Sequence, residues 1–556
     1  MNRSLLKITI VFLLTVVVAC ENNQSNKPVS RTDSTPGTRI DSTPVTRIDS
    51  TPGTRTDSTQ TKQDTNPVLV SFSNQTMLHF DSNSIRTFIK KYPSFNRFEN
   101  DLNKFYSSRQ YAYAWYDTTG MIEQADNLYN QIAHIDNEGI SGKTAYKDSL
   151  NTLFDNTDMG PTAEKDLMLT SQYFNYAERV WGGISEAQTK KINWLIPRKK
   201  LDLPFLMDSL LRDSSSSLIK NGYSFRQYDS LKIYLKRYRD LAAKNNWTPI
   251  KTNAKSLKKG ESSEAIKEIR NRLFALGDLP SNSGSDHFDN DLENAVKSYQ
   301  ARTGLKQDGV IRQPLIQHLN VPINNVIEQI VINMERCRWV PVNLNDNYLV
   351  VNIPDFKLYA FENNAPVFSM KVVVGKSVHK TVIFNGDLKY VVFSPYWTVP
   401  PGILKNEVLP AIKKDPHYLK KNNMEWYKNT VRQKPGPKNS LGLVKFLFPN
   451  EHNIYLHDSP AKSLFNEEVR AFSHGCIRVE QPKKLAAYLL RNDPGWTDAR
   501  IDKAMHSGKE QYVTLKKAVP VFIAYLTAWV DRSGKLNLRK DIYKRDPSLS
   551  DMLVKD

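Results

Sequence analysis

Tyr455–Val479 reads YLHDSPAKSLFNEEVRAFSHGCIRV. Two histidines, His457 and His474, sit in it with Cys476, and Ser473, Gly475 and Arg478 surround the thiol. A free cysteine titrates at roughly 8.5, and only its thiolate is a strong nucleophile. Chemistry at Cys476 therefore needs a base or an imidazolium beside it. It also needs donors for the oxygen anion of a tetrahedral intermediate, commonly backbone N–H groups in a tight turn. Gly475 lets the chain turn so that amides converge beside the sulfur. Arg478 adds positive charge that favours a thiolate or binds a substrate carboxylate. Taken by itself a His/Cys pair says little. A buried structural thiol is the bland alternative, and either His457 or His474 could be the base.

Upstream of this stretch the runs YLVVNI, KLYAF, FSMKVVVG and LKYVVFSPYWTV, starting at Tyr348, are rich in Val, Tyr and Phe and separated by turn residues. They predict a mostly-β domain over 345–530. Val519–Val530 reads as a buried strand, being too short to span a membrane. Residues 254–320 carry helix-period apolar faces. Ile266, Ile269, Leu273 and Leu276 share one helical face, and Phe288, Leu292, Ala295, Val296 and Tyr299 share another. Gly277 and Gly304 stand where helix C-caps are expected, and Asp308-Gly309 where a turn is. Residues 68–253 carry helix-period apolar segments, notably Asp166–Trp181 and Ser216–Ala242. The remaining pieces are a connector (321–344) and a tail (531–556). At 556 residues the chain exceeds the roughly 250–300 that one core supports, so several domains are expected.

The amino terminus is an address. Residues 1–19 place Arg3 and Lys7 before an apolar run that ends at Ala19-Cys20, the pattern of a signal peptide. The ending resembles a bacterial lipobox, which implies lipidation of Cys20 and anchoring to the inner or outer membrane on the periplasmic side. Arg31, Arg39, Arg47 and Arg55 then mark an eight-residue repeat built on Asp-Ser-Thr. It lacks large apolar residues, so 20–67 reads as a disordered tether, with O-glycosylation as the alternative use. The net charge of +19 favours anionic partners. No nucleic-acid-binding signature accompanies it, and the export signal argues against that class. The histidines lack metal-ligand spacing, so neither metal nor cofactor is expected.

His457 followed by Ser473-His474-Gly475-Cys476-Ile477-Arg478 resembles the active-site signature of L,D-transpeptidases. Asn333–Trp339, Arg432–Gly442 and Lys445–Asn450 resemble runs found in the large multi-domain branch of that family. The resemblance covers about 68–545. It implies a multi-domain α+β chain: a helical scaffold, a three-helix peptidoglycan-binding module, and a mostly-β catalytic domain with a helical cap inserted near 404–440. It implies Cys476 as nucleophile, His457 as base oriented by the backbone carbonyl of Asp458, and an incidental Asp458 side chain. His474 and Gly475 would shape the oxyanion turn, with Ser473, Tyr455 and Arg478 as further site residues. The implied reaction is acyl transfer on peptidoglycan stem peptides by a monomer, forming 3→3 cross-links. Hydrolysis of the same stems, D-amino-acid exchange, or non-catalytic stapling of membrane to wall are the alternatives. Cys337, among Met334, Trp339 and Val340, is expected to be inert packing.

Overall fold

The computed structural model describes residues 78–117, 120–155, 160–212, 226–244, 247–340 and 347–555. Cys20 and the Arg31–Arg55 repeat lie outside them. In the helical half, α1 (Ala163–Ala177) starts where the Thr162 side chain accepts the Lys165 N–H, an N-cap that satisfies an otherwise orphaned donor. It covers most of the apolar run read at Asp166–Trp181. Asp166 is fully buried, yet it accepts the Tyr106 hydroxyl at 2.6 Å and the Trp115 N–H at 2.9 Å, so the carboxylate is compensated. A second long helix, α2, spans Arg226–Lys244.

The next three helices are α3 (Glu264–Leu276), α4 (Asn290–Thr303) and α5 (Gln313–Leu319). Ser263 and Asp289 cap the first two, and Gly277 and Gly304 end them in the left-handed region at φ +83° and +73°. Those are the positions where glycine was expected.

The segment expected as a connector is instead the spine of the molecule. Helix α6 (Ile323–Trp339) buries every residue from Ile332 to Trp339, four of them charged or amide-bearing. Glu335 accepts the Ile184 N–H at 2.7 Å and the Trp339 indole N–H at 2.8 Å, and pairs with Arg338 at 2.6 Å. Arg338 also donates to the carbonyls of Val180 at 2.9 Å and Glu138 at 2.6 Å. Cys337 is wholly buried in this helix, and burial pushes its thiol up to about 12.

The β half is one mixed nine-stranded sheet. Its strands are β1 (Asn347–Asn352), β2 (Lys357–Glu362), β3 (Ala365–Gly375), β4 (Phe384–Phe393), β5 (Val444–Leu447), β6 (Leu456–His457), β7 (Ala471–Ser473), β8 (Ile477–Val479) and β9 (Gln511–Ala524). The order is β7-β3-β8-β6-β5-β4-β9-β1-β2, and β2 also pairs with β3, so the sheet folds back on itself. Leu349, Val351, Val372, Val391, Phe446, Leu456, Ile477 and Val521 fill its interior. Helices α7 (Pro482–Leu490) and α8 (Asp498–Met505) add Leu485, Ala486 and Ile501 to the same core.

Between β4 and β5 the chain leaves the sheet as a cap. Its helical turns run from Pro401 to Lys421, and a three-stranded sheet is made by Trp397–Thr398, Met424–Tyr427 and Thr430–Gln433. The cap is thus mixed rather than purely helical, and it keeps its own small core of Val399, Val408 and Val431.

Residues 531–555, expected as part of a tail, are built into the fold. Leu536–Leu538 pairs with Ala528–Val530, and α9 (Asp546–Lys555) follows. The Gln227 side chain bonds both the N–H and the carbonyl of Val530, each at 2.8 Å. Arg336 of α6 pairs with Asp546 at 2.7 Å. Arg539 pairs with Asp355 of the β1–β2 connection at 2.6 Å and donates to the Arg302 carbonyl of α4 at 2.8 Å. Arg302 in turn holds Asp278 at 2.6 Å and the Leu536 carbonyl at 3.2 Å. Leu536, Leu538, Tyr543 and Leu549 add buried apolar surface, so this polar sequence is held by both core packing and long-range ion pairs. No helix among the described residues is long and apolar enough to cross a membrane.

Candidate active site

Strands β6 and β8 run parallel, with Leu456 opposite Ile477 and His457 opposite Arg478. This register sets Tyr455 abreast of Cys476, which stands at the mouth of β8. β8 is also antiparallel to β3, with Arg478 opposite Val373. The nucleophile turn is therefore fixed from two sides by the sheet.

The turn itself is self-bonded. Ser473 Oγ donates to the Cys476 carbonyl at 2.5 Å and accepts the Gly475 N–H at 3.1 Å. Gly475 adopts φ +120°, a conformation costly for any residue with a Cβ. A Cβ there would meet nothing within 4 Å, so backbone conformation and not space requires the glycine. Thr381 braces the turn from below, donating to the Gly475 carbonyl and accepting the Gly375 N–H, both at 2.9 Å. Tyr543 in turn accepts the Thr381 N–H at 3.2 Å and donates to the Gly375 carbonyl at 2.6 Å. Neither Thr381 nor Tyr543 was signalled in the sequence.

Cys476 is half-buried, and its thiol donates to the Asn453 carbonyl at 3.6 Å. Burial raises its pKa; the Tyr455 N–H and hydroxyl and the positive charge of Arg478 work against that rise. Burial, and after it the same sulfur, pushes the Tyr455 phenol up. Arg478 Nε is buried and, among the described residues, has no hydrogen-bond partner.

His457 is buried on β6, and its Nδ1 lies 2.5 Å from the Asp458 carbonyl oxygen. A carbonyl can only accept, so Nδ1 carries the proton and Nε2 is the bare acceptor nitrogen. Burial, and after it the charge of Arg478, bring the imidazole down to about 3. It is neutral through the physiological range. The Asp458 side chain does not face the ring. It is buried and accepts the N–H of Leu443 at 2.9 Å and of Ser459 at 2.7 Å, and pairs with Lys462 at 2.5 Å. It holds the loop on which the orienting carbonyl rides. Gly442, at φ +63°, makes room for it: a Cβ there would lie 2.3 Å from Asp458 Oδ2.

His474 is placed differently. Its Nε2 lies 2.9 Å from Glu407 Oε1 of the cap, and its ring is 5.1 Å from that of His379. The fold thus brings Tyr455, His457, Ser473, Gly475, Cys476 and Arg478 to one sheet end, and turns His474 toward the cap. Among the described residues no group of three His, Cys, Asp or Glu side chains could hold a metal ion.

Three stretches of the chain match known families: 346–500 the L,D-transpeptidase catalytic domain (YkuD), 100–235 a scaffold domain, and 262–313 a "Putative peptidoglycan binding domain". A curated relative from Haemophilus influenzae, named "Putative L,D-transpeptidase", is 32% identical over 248 residues, which is 41% of this chain and 50% of that one. The chain thus spans about half the length of the curated relative it matches. Among solved structures, an L,D-transpeptidase from Stackebrandtia nassauensis is similar at 13% identity and TM-score 0.21, covering 49% of this chain and 97% of that one. One from Mycobacterium smegmatis has 15% identity and TM-score 0.19, covering 32% and 58%. Overlaps of that size carry no weight for the whole chain.

Proposed function

We propose, for a chain that carries an L,D-transpeptidase catalytic domain behind a scaffold domain and a peptidoglycan-binding domain, that Cys476 is the nucleophile of acyl transfer between peptidoglycan stem peptides. The observation that carries this reading is the His457 tautomer. With Nδ1–H given to the Asp458 carbonyl, Nε2 is left as the base, on the strand beside the one that Cys476 opens.

In this reading His457 takes the Cys476 proton, and Sγ attacks the carbonyl of the third residue of a tetrapeptide stem. The backbone N–H of Cys476 in this turn stabilises the oxyanion. The C–N bond breaks, and the terminal D-alanine leaves with the proton held by His457. A side-chain amine of a second stem then attacks the thioester, the sulfur leaves, and a 3→3 cross-link results. Arg478 and Tyr455 steady the thiolate, and Arg478 suits a stem carboxylate. His474 is the poorer base, since its Nε2 is already committed to Glu407. The lipobox-like Ala19-Cys20 ending supports a lipid-anchored protein on the periplasmic face of a membrane.

The test is mass spectrometry of muropeptides after incubating tetrapeptide-rich fragments with wild type or Cys476→Ala. New 3→3 dimers with wild type only are expected. Release of D-alanine without dimers would make the protein a carboxypeptidase. Incorporation of an added free D-amino acid would make it an exchange enzyme. Wall binding with no change in muropeptides would leave only a structural lipoprotein.

A further inference from the structure

The cap segment 401–440 is rich in lysine and contains three acids, Glu407, Asp415 and Glu425. Two of them are neutralised inside the cap. Asp415 pairs with Lys421 at 2.7 Å, and Glu425 pairs with Arg432 at 2.7 Å and Lys434 at 2.9 Å. Glu407 is not. Among the described residues it has no lysine or arginine partner, and its carboxylate instead reaches out of the cap to His474 Nε2 at 2.9 Å. His474 stands two residues before Cys476. The Glu407 side chain keeps 55% of its surface exposed. A lysine-rich cap thus extends one carboxylate that no lysine or arginine neutralises, half-exposed, to the edge of the nucleophile turn.

We infer that Glu407, oriented by His474, is the recognition residue for the acceptor: a primary ammonium that docks on the carboxylate before its nitrogen attacks the Cys476 thioester. The inference rests on the acyl-transfer reading above. The chemistry balances without a further reactant. The ammonium sheds one proton to solvent ahead of attack. The N–C bond forms as the C–S bond breaks, the electron pair leaves on Sγ, and the second proton returns to the sulfur. Glu407 supplies affinity and placement for a cation, which water as a competing acceptor does not exploit. It therefore sets the partition between aminolysis and hydrolysis.

The experiment measures that partition in the full-length protein by mass spectrometry. One acceptor is the tetrapeptide stem itself, whose side-chain amine is an ammonium at neutral pH. The other is hydroxylamine, which is uncharged there. Glu407→Gln is expected to lower the ratio of stem aminolysis to hydrolysis about tenfold, the loss of one charge-assisted hydrogen bond. It should leave the ratio of hydroxylamine product to hydrolysis where it was, and Glu407→Asp should recover most of the stem ratio. If neither ratio moves, or both fall together, Glu407 only fastens the cap and the inference is overturned. A wild type that forms acyl products with no acceptor, water included, would overturn the acyl-transfer reading and this inference with it.

Discussion

Keeping His457 uncharged has a measurable consequence in acid. The ring is buried beside Arg478, and these two together hold its pKa near about 3. An unfolded histidine titrates near about 6.5. Between those values the unfolded chain binds a proton that the folded chain refuses. The stabilising contribution is therefore fully present above the unfolded pKa and is lost as pH falls toward the folded one. From pH 7 to pH 4 this single site withdraws roughly 3 kcal/mol, at about 1.36 kcal/mol per pH unit over the range in which only the unfolded form is protonated. A folded pKa one unit higher would change that figure little. The perturbation is His457→Gln, which removes the titrating group while leaving an amide able to bond the Asp458 carbonyl. The assay is the urea dependence of hydrogen exchange at the β6 and β8 amides, which reports the catalytic sheet without assuming that all domains unfold together. All other titrating groups cancel in the difference between the two proteins. Wild type should lose about 3 kcal/mol relative to the variant between pH 7 and pH 4. A gap constant to within about 1 kcal/mol would refute the claim that the fold holds this imidazole neutral, and with it the argument for His457 as base.

Further outcomes follow from the same geometry. A carbapenem should add its mass to wild type and not to Cys476→Ala; an intact mass unchanged in both would count against an acylable thiol. Thr381→Val strands the buried Gly375 N–H and frees the Gly475 carbonyl, so it should cost about 1–3 kcal/mol and lower turnover, read by thermal unfolding and by D-alanine release. Asp355→Asn leaves the Arg539 guanidinium buried without its counter-charge, and a loss of about 3–5 kcal/mol is expected, seen as a lower melting temperature. Gly442→Ala forces a Cβ against Asp458 and shifts the loop that carries the orienting carbonyl; a turnover equal to wild type would show that the loop is not what aims His457.

The site was legible wherever its parts are neighbours in sequence. Ser473 to Arg478 is a contiguous turn, and its hydrogen bonds are between residues two and three apart. His457 could be matched by motif, but its placement beside Cys476 depends on a strand register that no single segment encodes. What stayed hidden is non-local. Thr381 is 94 residues from Gly475, and Tyr543 is 162 from Thr381. The Asp458 side chain, expected to be incidental, anchors the loop through Leu443 and Lys462. The same blindness affects the fold. Two helices of the 254–320 module announced themselves through apolar spacing and glycine caps. Helix α6 and residues 531–555 did not, because Glu335, Arg336, Arg338 and Arg539 look like surface charges until their buried partners are known.

Those partners have a consequence for how the molecule can move. The chain of contacts Asp278–Arg302–Arg539–Asp355 bolts the second helix of the three-helix module to the first turn of the catalytic sheet, through a strand that closes only near the end of the polypeptide. The module therefore cannot swing like a hand on a tether. It sits like the fixed jaw of a caliper, so under the proposed function a polymer bound there would meet the thiol at one offset, set by the fold.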